Sequence, residues 1–327
     1  MAAARRFREA NGSVSIYPLY ADPGRADHRR MSTIATTLPR SVPAPHGALL
    51  LGAAGVLLGT IGLFLERAGA HPLTAVWFRS VFGLLALSGW MLATRRSGEL
   101  RLAPRTLAAA LAAGALMVAS WALFFAALEH TGIAVATVVV HVQPFWVMAL
   151  GALFLHERVT LRQGLAAGVA LLGLALASGL PAPAQSAAPT GTLLGVALCL
   201  ASSLCYAGVT LFARRAQGAS PLVLAWWQCA VGTLALAWWP MLHGWPAAAA
   251  WGWLAALGVV HTGLAYVLWY AGVVRVSAGR LATLQFVYPA TAVLVDALVF
   301  DRPLDALQWG GVLLMGLGLL TARRPER

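Results

Sequence analysis

The chain has 327 residues, of which 60% are hydrophobic and only 10% charged, with 23 Lys+Arg against 11 Asp+Glu and a formal net charge of +12. A soluble domain carries about 25% charged residues, and a disordered chain needs low hydrophobicity, so neither class fits. Every cation is arginine, which removes Schiff-base, phosphate-loop and kinase lysine chemistry. A polytopic membrane protein remains, with a nucleic-acid binder as its rival.

Residues 1–45 hold Arg5, Arg6, Arg8, Arg25, Arg29, Arg30 and Arg40 with proline and serine, and no sustained apolar run. They read as a disordered basic cytoplasmic tail rather than a signal peptide. Met31 offers a second start, an idea that mass spectrometry of chains beginning at Met1 would remove. From Gly47 onward, apolar runs alternate with short polar breaks. A bilayer core of ~30 Å needs about 20 apolar residues per helix. Ten spans are predicted: 47–65, 73–94, 106–128, 133–155, 162–180, 191–213, 221–240, 248–272, 280–300 and 305–322. Most prolines sit at span ends, but Pro144 and Pro289 fall inside spans. Cys199, Cys205 and Cys229 lie in apolar stretches without metal or redox spacing. They read as packing residues, and no metal or cofactor is expected.

Ten spans sort the arginines. Twenty fall on the side of the N-terminus, Arg67 and Arg302 fall on the other, and Arg79 lies within a span. The positive-inside rule then puts both termini in the cytoplasm of a multi-pass protein of the cell inner membrane. Basic charge spread over six short segments also argues against nucleic acid. A small-molecule substrate and membrane lipid remain as partners, with a homodimer as a further expectation.

The sequence repeats itself. WFRSVFGLLAL from Trp77 matches WWQCAVGTLAL from Trp226, and the same offset pairs Gly59 with Gly208, Gly69 with Gly218 and Pro72 with Pro221. Thr160-x-x-Gln163 and Asp305-x-x-Gln308 match as helix capping boxes. The two halves, 46–180 and 191–322, precede a short cytoplasmic end at 323–327. Five spans per half invert the second half relative to the first. That is a transporter architecture with its site near the midplane, which a channel could share.

The segment QPFWVMALGALFLHERVTLRQGLAAGVALLGLAL, running from Gln143 to Leu176, resembles the signature of EamA-type permeases of the drug/metabolite transporter superfamily. The resemblance covers about residues 47–322 in both halves, and Arg79 fits it. His156 stands where glycine usually precedes Glu157, and Asp301-Arg302 stands where the second copy usually has Gly-Glu. The resemblance implies an all-α secondary transporter, not an enzyme. It would move small amino-acid-like or amphipathic metabolites, often outward, with proton or gradient coupling.

Ionisable and polar groups within spans are the candidate site residues, because the bilayer makes them costly. Arg79 either grips a substrate carboxylate bidentately or is structural, bonded to carbonyls. His141 and Gln143 precede Pro144, which frees a carbonyl near Val140. His141 is a proton acceptor or an interhelical hydrogen bond. In the second half Gln228 matches Arg79, Gln285 and Tyr288 flank Pro289, and His261 lies mid-span. Tyr266 and Tyr270 share a helix face. With Trp121 and Phe125 they form an aromatic wall or meet lipid. Asp296, the only acid well inside a span, is a proton-coupling group or pairs with Arg79 or Arg302. Pro144, Pro289 and Glu157 are read as hinge or structural positions. An integral-membrane enzyme would need paired carboxylates or a metal-ligand set, which the sequence lacks. A non-transporting scaffold would not need polar groups inside its spans.

Overall fold

The structure, a computed structural model, describes residues 44–131, 133–179, 192–301 and 303–321. Nearly all of the basic tail, Met31, Arg302 and the final arginines lie outside the described residues. Among the described residues the regular structure is helical, with no strand. Apolar segments in a bilayer must satisfy their own backbone groups, and helices do so within one segment.

The apolar helices in chain order are α1 His46–Ala68, α2 Pro72–Ala93, α3 Pro104–Leu128, α4 Ala134–Leu155, α5 Leu161–Ala177, α6 Leu193–Arg215, α7 Pro221–His243, α8 Ala250–Val273, α9 Ala278–Val299 and α10 Ala306–Thr321. Eight are long and apolar enough to cross a membrane, whereas α5 and α10 are shorter. At 17 and 16 residues, α5 and α10 run only about 25 Å at a rise of ~1.5 Å per residue. The predicted span 162–180 therefore stops early, because Gly179 turns into the left-handed region at φ 71°. These two helices pack against one another at glycine. A Cβ on Gly311 would sit 2.5 Å from Ala177 N and from Gly173 O. Both begin with the expected capping boxes. Thr160 Oγ1 accepts from Gln163 N at 3.3 Å while Gln163 Oε1 accepts from Thr160 N at 3.0 Å. Asp305 and Gln308 repeat the pattern at 2.8 and 3.0 Å.

Three long helices are interrupted just before a proline. α4 breaks at His141–Val142 before Pro144, α7 at Leu236–Ala237 before Pro240, and α9 at Gln285–Phe286 before Pro289. Proline lacks the N–H that would close the turn onto the carbonyl four residues earlier. α1 breaks at Thr60 without a proline, where Thr60 Oγ1 donates to Leu57 O at 2.8 Å. α8 contains a π segment, Leu257–Leu264. The ends of α4 and α9 match: His156 and Asp301 adopt φ 55° and 50°, a left-handed turn that explains why glycine suits those positions.

Two ends of the helix bundle are distinguishable. At one, Ser220 Oγ donates to Glu99 at 2.9 Å and Thr106 Oγ1 to Gln217 O at 3.0 Å. Arg95, Arg96, Arg101, Arg105, Arg158, Arg162, Arg214, Arg215, Arg275 and Arg280 gather there. At the other, aromatics meet: His71 stacks on Trp239 at 4.7 Å, and Trp239 Nε1 donates to Thr74 at 3.0 Å. Glycines spaced four apart differ in their surroundings. Gly55 and Gly59 sit against Val287 and Thr291 of α9, whereas Gly164 and Gly168 face no neighbour within 4 Å.

Candidate functional site

A cavity of about 310 Å³ lies among the helices, at the small end of the range for small-molecule sites. It reaches from Leu65 and Pro72, near the arginine-poor end, to Pro144 and Gln285 at two of the helix breaks. Trp121, Phe124 and Phe125 of α3 face Tyr266 and Trp269 of α8, with Tyr206 of α6 and Tyr288 of α9 completing the aromatic wall.

Arg79 is the one arginine on this wall. α2 starts at Pro72, with the side chain of His71 accepting from Leu73 N. Arg79 thus lies about 10 Å along the helix axis. Its side chain is 7% exposed. Nε donates to Thr262 Oγ1 at 2.9 Å and Nη2 to Tyr266 Oη at 2.8 Å. The guanidinium carbon lies 4.8 Å from the Trp121 ring centre and 5.6 Å from that of Tyr266, within range for cation–π attraction. Thr262 is held in turn by the π segment, donating to Leu257 O at 3.3 Å. Gly258 lets that segment reach α2, since a Cβ there would lie 2.3 Å from Phe82 Cβ. The ion pairs among the described residues are Arg96–Glu99 and Arg214–Glu157. Arg79 is therefore solvated by hydroxyls and π faces, with no carboxylate from the described residues, and Arg302, the other expected partner of Asp296, lies outside the described residues.

His141 and Gln143 also line the cavity. His141 Nδ1 lies 2.6 Å from Thr137 O. A carbonyl only accepts, so Nδ1 carries the proton and Nε2 keeps a lone pair. The ring stacks on Tyr288 at 5.8 Å. Gln285 is 5% exposed, and neither of its amide atoms has a partner.

The structure thus brings Arg79, Trp121, Phe125, His141, Gln143, Pro144, Tyr266, Gln285 and Tyr288 to one cavity. It leaves the other expected residues off the wall. Gln228 and Tyr270 bond to each other behind it, the Tyr270 hydroxyl donating to Gln228 Oε1. His261 is wholly buried and lies 2.7 Å from Thr60 Oγ1. Because the Thr60 hydroxyl already donates to Leu57 O, His261 Nε2 is the donor. Asp296 is half-buried on α9, and Pro289 is buried just beyond the α9 break. Glu157 works at the arginine-rich end. One carboxylate oxygen takes Arg214 Nη1, the other takes the Ala278 N–H, and Arg214 Nη2 donates to Val276 O at 2.8 Å. This ties the ends of α4 and α6 to the start of α9. The sequence reading missed Phe124, Trp269, Tyr206 and the Ser120–Ser202 pair, whose hydroxyls each donate to the other's carbonyl, at 3.0 and 2.8 Å. Ser202 and Tyr206, one turn apart in an apolar run, were the available signal.

A sequence model of the EamA-like transporter family matches residues 45–179 and, a second time, 193–323. The chain belongs to the EamA-like transporter family. It is therefore a multi-pass membrane transporter of the drug/metabolite transporter superfamily. An uncharacterized transporter of Bacillus subtilis (strain 168) is 26% identical over 273 residues, covering 82% of this chain and 87% of the relative. An uncharacterized transporter of Archaeoglobus fulgidus is 28% identical over 281 residues, covering 85% and 97%. A protein of known crystal structure, 22% identical, superposes with a TM-score of 0.73 over 84% of this chain and 96% of its own. At that identity the likeness speaks for the fold alone. In this EamA-like protein each matched segment brings one proline-linked break to the cavity, at Pro144 and at Gln285.

Proposed function

We propose that the protein is a secondary transporter that carries a small, carboxylate-bearing metabolite of amino-acid size, exporting it by alternating access. The observation that carries this reading is Arg79, buried on the cavity wall with no acidic partner among the described residues. A guanidinium in that setting is a ready partner for a carboxylate. On this reading all ten apolar helices belong to the membrane domain as two inverted five-helix repeats. The double family match supports that arrangement.

The arginine-rich end faces the cytoplasm of the inner membrane by the positive-inside rule. The cavity occupies the other half of the bundle, and the Glu157–Arg214–Ala278 tie holds the cytoplasmic half together. These features fit an outward-facing state with a closed inner gate. Coupling to protons runs through His141, whose free Nε2 makes it a better acceptor than Asp296, which lies off the cavity wall.

The test is a metabolite flux screen in proteoliposomes with an imposed pH gradient, on wild type, Arg79→Ala and His141→Gln. Wild type moves a carboxylate, Arg79→Ala loses that flux, and His141→Gln keeps flux but loses its response to the gradient. Absence of flux for every metabolite, from correctly folded wild-type protein, would refute the reading.

A further inference from the structure

The charge inventory of the cavity distinguishes among carboxylates. Among the described residues its wall holds the arginine Arg79 and no aspartate or glutamate. Two donors of Arg79 go to hydroxyls, and Nη1 has no hydrogen-bond partner among the described residues. A guanidinium has five N–H groups in a planar fork, so donors remain for an incoming carboxylate. While His141 on the same wall is neutral, bringing a net anion makes this part of the membrane interior neutral. Bringing a zwitterion leaves the site cationic and adds an ammonium with no carboxylate to meet it. Unpaired charge within a bilayer is costly.

Gln285 supplies the second recognition element. It is 5% exposed, lies on the cavity wall, and both amide atoms lack partners. A buried amide left unbonded carries an unrecovered desolvation cost, which a ligand that bonds it recovers. An amide donates and accepts, so it suits an uncharged polar group such as a hydroxyl or carbonyl. The same wall carries Trp121, Tyr206 and Tyr288, faces for an apolar or aromatic body.

We infer that the carried metabolite is an amphipathic organic acid bound as its monoanion: carboxylate on Arg79, ring or chain against the aromatic wall, and a neutral hydroxyl or carbonyl on Gln285. Hydroxy and keto acids are the class, and amino acids are disfavoured. This rests on the transporter reading above and specifies its substrate.

A matched set of probes tests it: 3-phenyllactate, phenylalanine, which replaces the hydroxyl by ammonium, 3-phenylpropionate, which lacks both, and phenyllactate methyl ester, which lacks the charge. Binding to the purified wild-type protein is measured by calorimetry, and flux in proteoliposomes. Phenyllactate is expected to bind at least tenfold tighter than phenylalanine and than the ester. Gln285→Leu is expected to erase the preference for phenyllactate over phenylpropionate while sparing phenylpropionate binding. The ester comparison needs no variant, so it stands even if Arg79→Ala fails to fold. Phenylalanine binding as tightly as phenyllactate overturns the inference. So does flux of some other metabolite class with no binding of phenyllactate, an outcome that leaves the transporter reading intact. Failure of that broader reading would show instead as no flux of anything.

Discussion

Replacing Glu157 by Gln tests the closed end of the bundle. The carboxylate takes two charge-assisted bonds, from Arg214 Nη1 and from the Ala278 N–H that opens α9. Such bonds contribute about 1.5–3 kcal/mol, against roughly 0.5–1.5 for neutral ones. Gln keeps one acceptor oxygen and turns an N–H toward the other donor, so one bond becomes neutral and the other is lost, a cost of at least about 2 kcal/mol in all. Arg214 keeps its bond to Val276 O but loses its counter-charge, with a side chain only 9% exposed. If this tie holds the inner end shut, opening should rise about 30-fold for ~2 kcal/mol. Hydrogen exchange of the segment 276–284 reads that opening directly, since the Ala278 amide is itself a donor in the tie. Faster exchange there, with segments around α5 and α10 unchanged, is the expected pattern. Exchange in 276–284 identical to wild type would refute the gate.

Three further predictions follow from packing and bonding. Tyr270→Phe strips Gln228, 3% exposed, of its hydrogen bond, while its Nε2 already lacks one. Stability should fall by about 1–3 kcal/mol with ligand affinity unchanged, checked by thermal melting beside calorimetry. His156→Gly relieves a side chain at φ 55° and should add roughly 1 kcal/mol to stability, read from denaturant unfolding in detergent. Gly311→Leu places a Cβ against Ala177 N and Gly173 O, backbone atoms that cannot swing aside. Overpacking should cost about 1–3 kcal/mol, and faster exchange in α5 and α10 together is its signature.

Most of the helices were legible because hydrophobic runs, flanking prolines and arginine-marked breaks record membrane crossing directly. The short extent of α5 was not, because Leu180 and Pro181 read as the natural end of the span while the helix already stops before Gly179. Arg79, His141 and the breaks before Pro144 and Pro289 were readable as polar or proline residues out of place in apolar runs. Tyr270 and His261 lie off the cavity wall for different reasons. His261 sits within the π segment Leu257–Leu264, where a face argument at 3.6 residues per turn does not hold. Tyr266 and Tyr270 do share a face of the regular helix Ala265–Val273, with ring centres 6.5 Å apart, but the cavity is lined by Tyr266 and Trp269 while Tyr270 bonds Gln228. The Thr60 break was invisible because its cause is a bond to the chain's own carbonyl, not a proline.

The proline-linked breaks bear on the speed of the transport cycle. A continuous helix that bends must first stretch or lose backbone hydrogen bonds, an enthalpic barrier that grows steeply with bend angle. At Pro144 and Pro289 the bonds to the carbonyls of Val140 and Gln285 have no donor to begin with. Bending α4 or α9 at these points sacrifices less of that enthalpy, since only the remaining bonds across the break, such as Phe145 N to Val142 O and Ala290 N to Phe286 O, are strained. Reorientation through such joints should thus show a weak temperature dependence compared with a carrier whose helices must be bent from intact ladders.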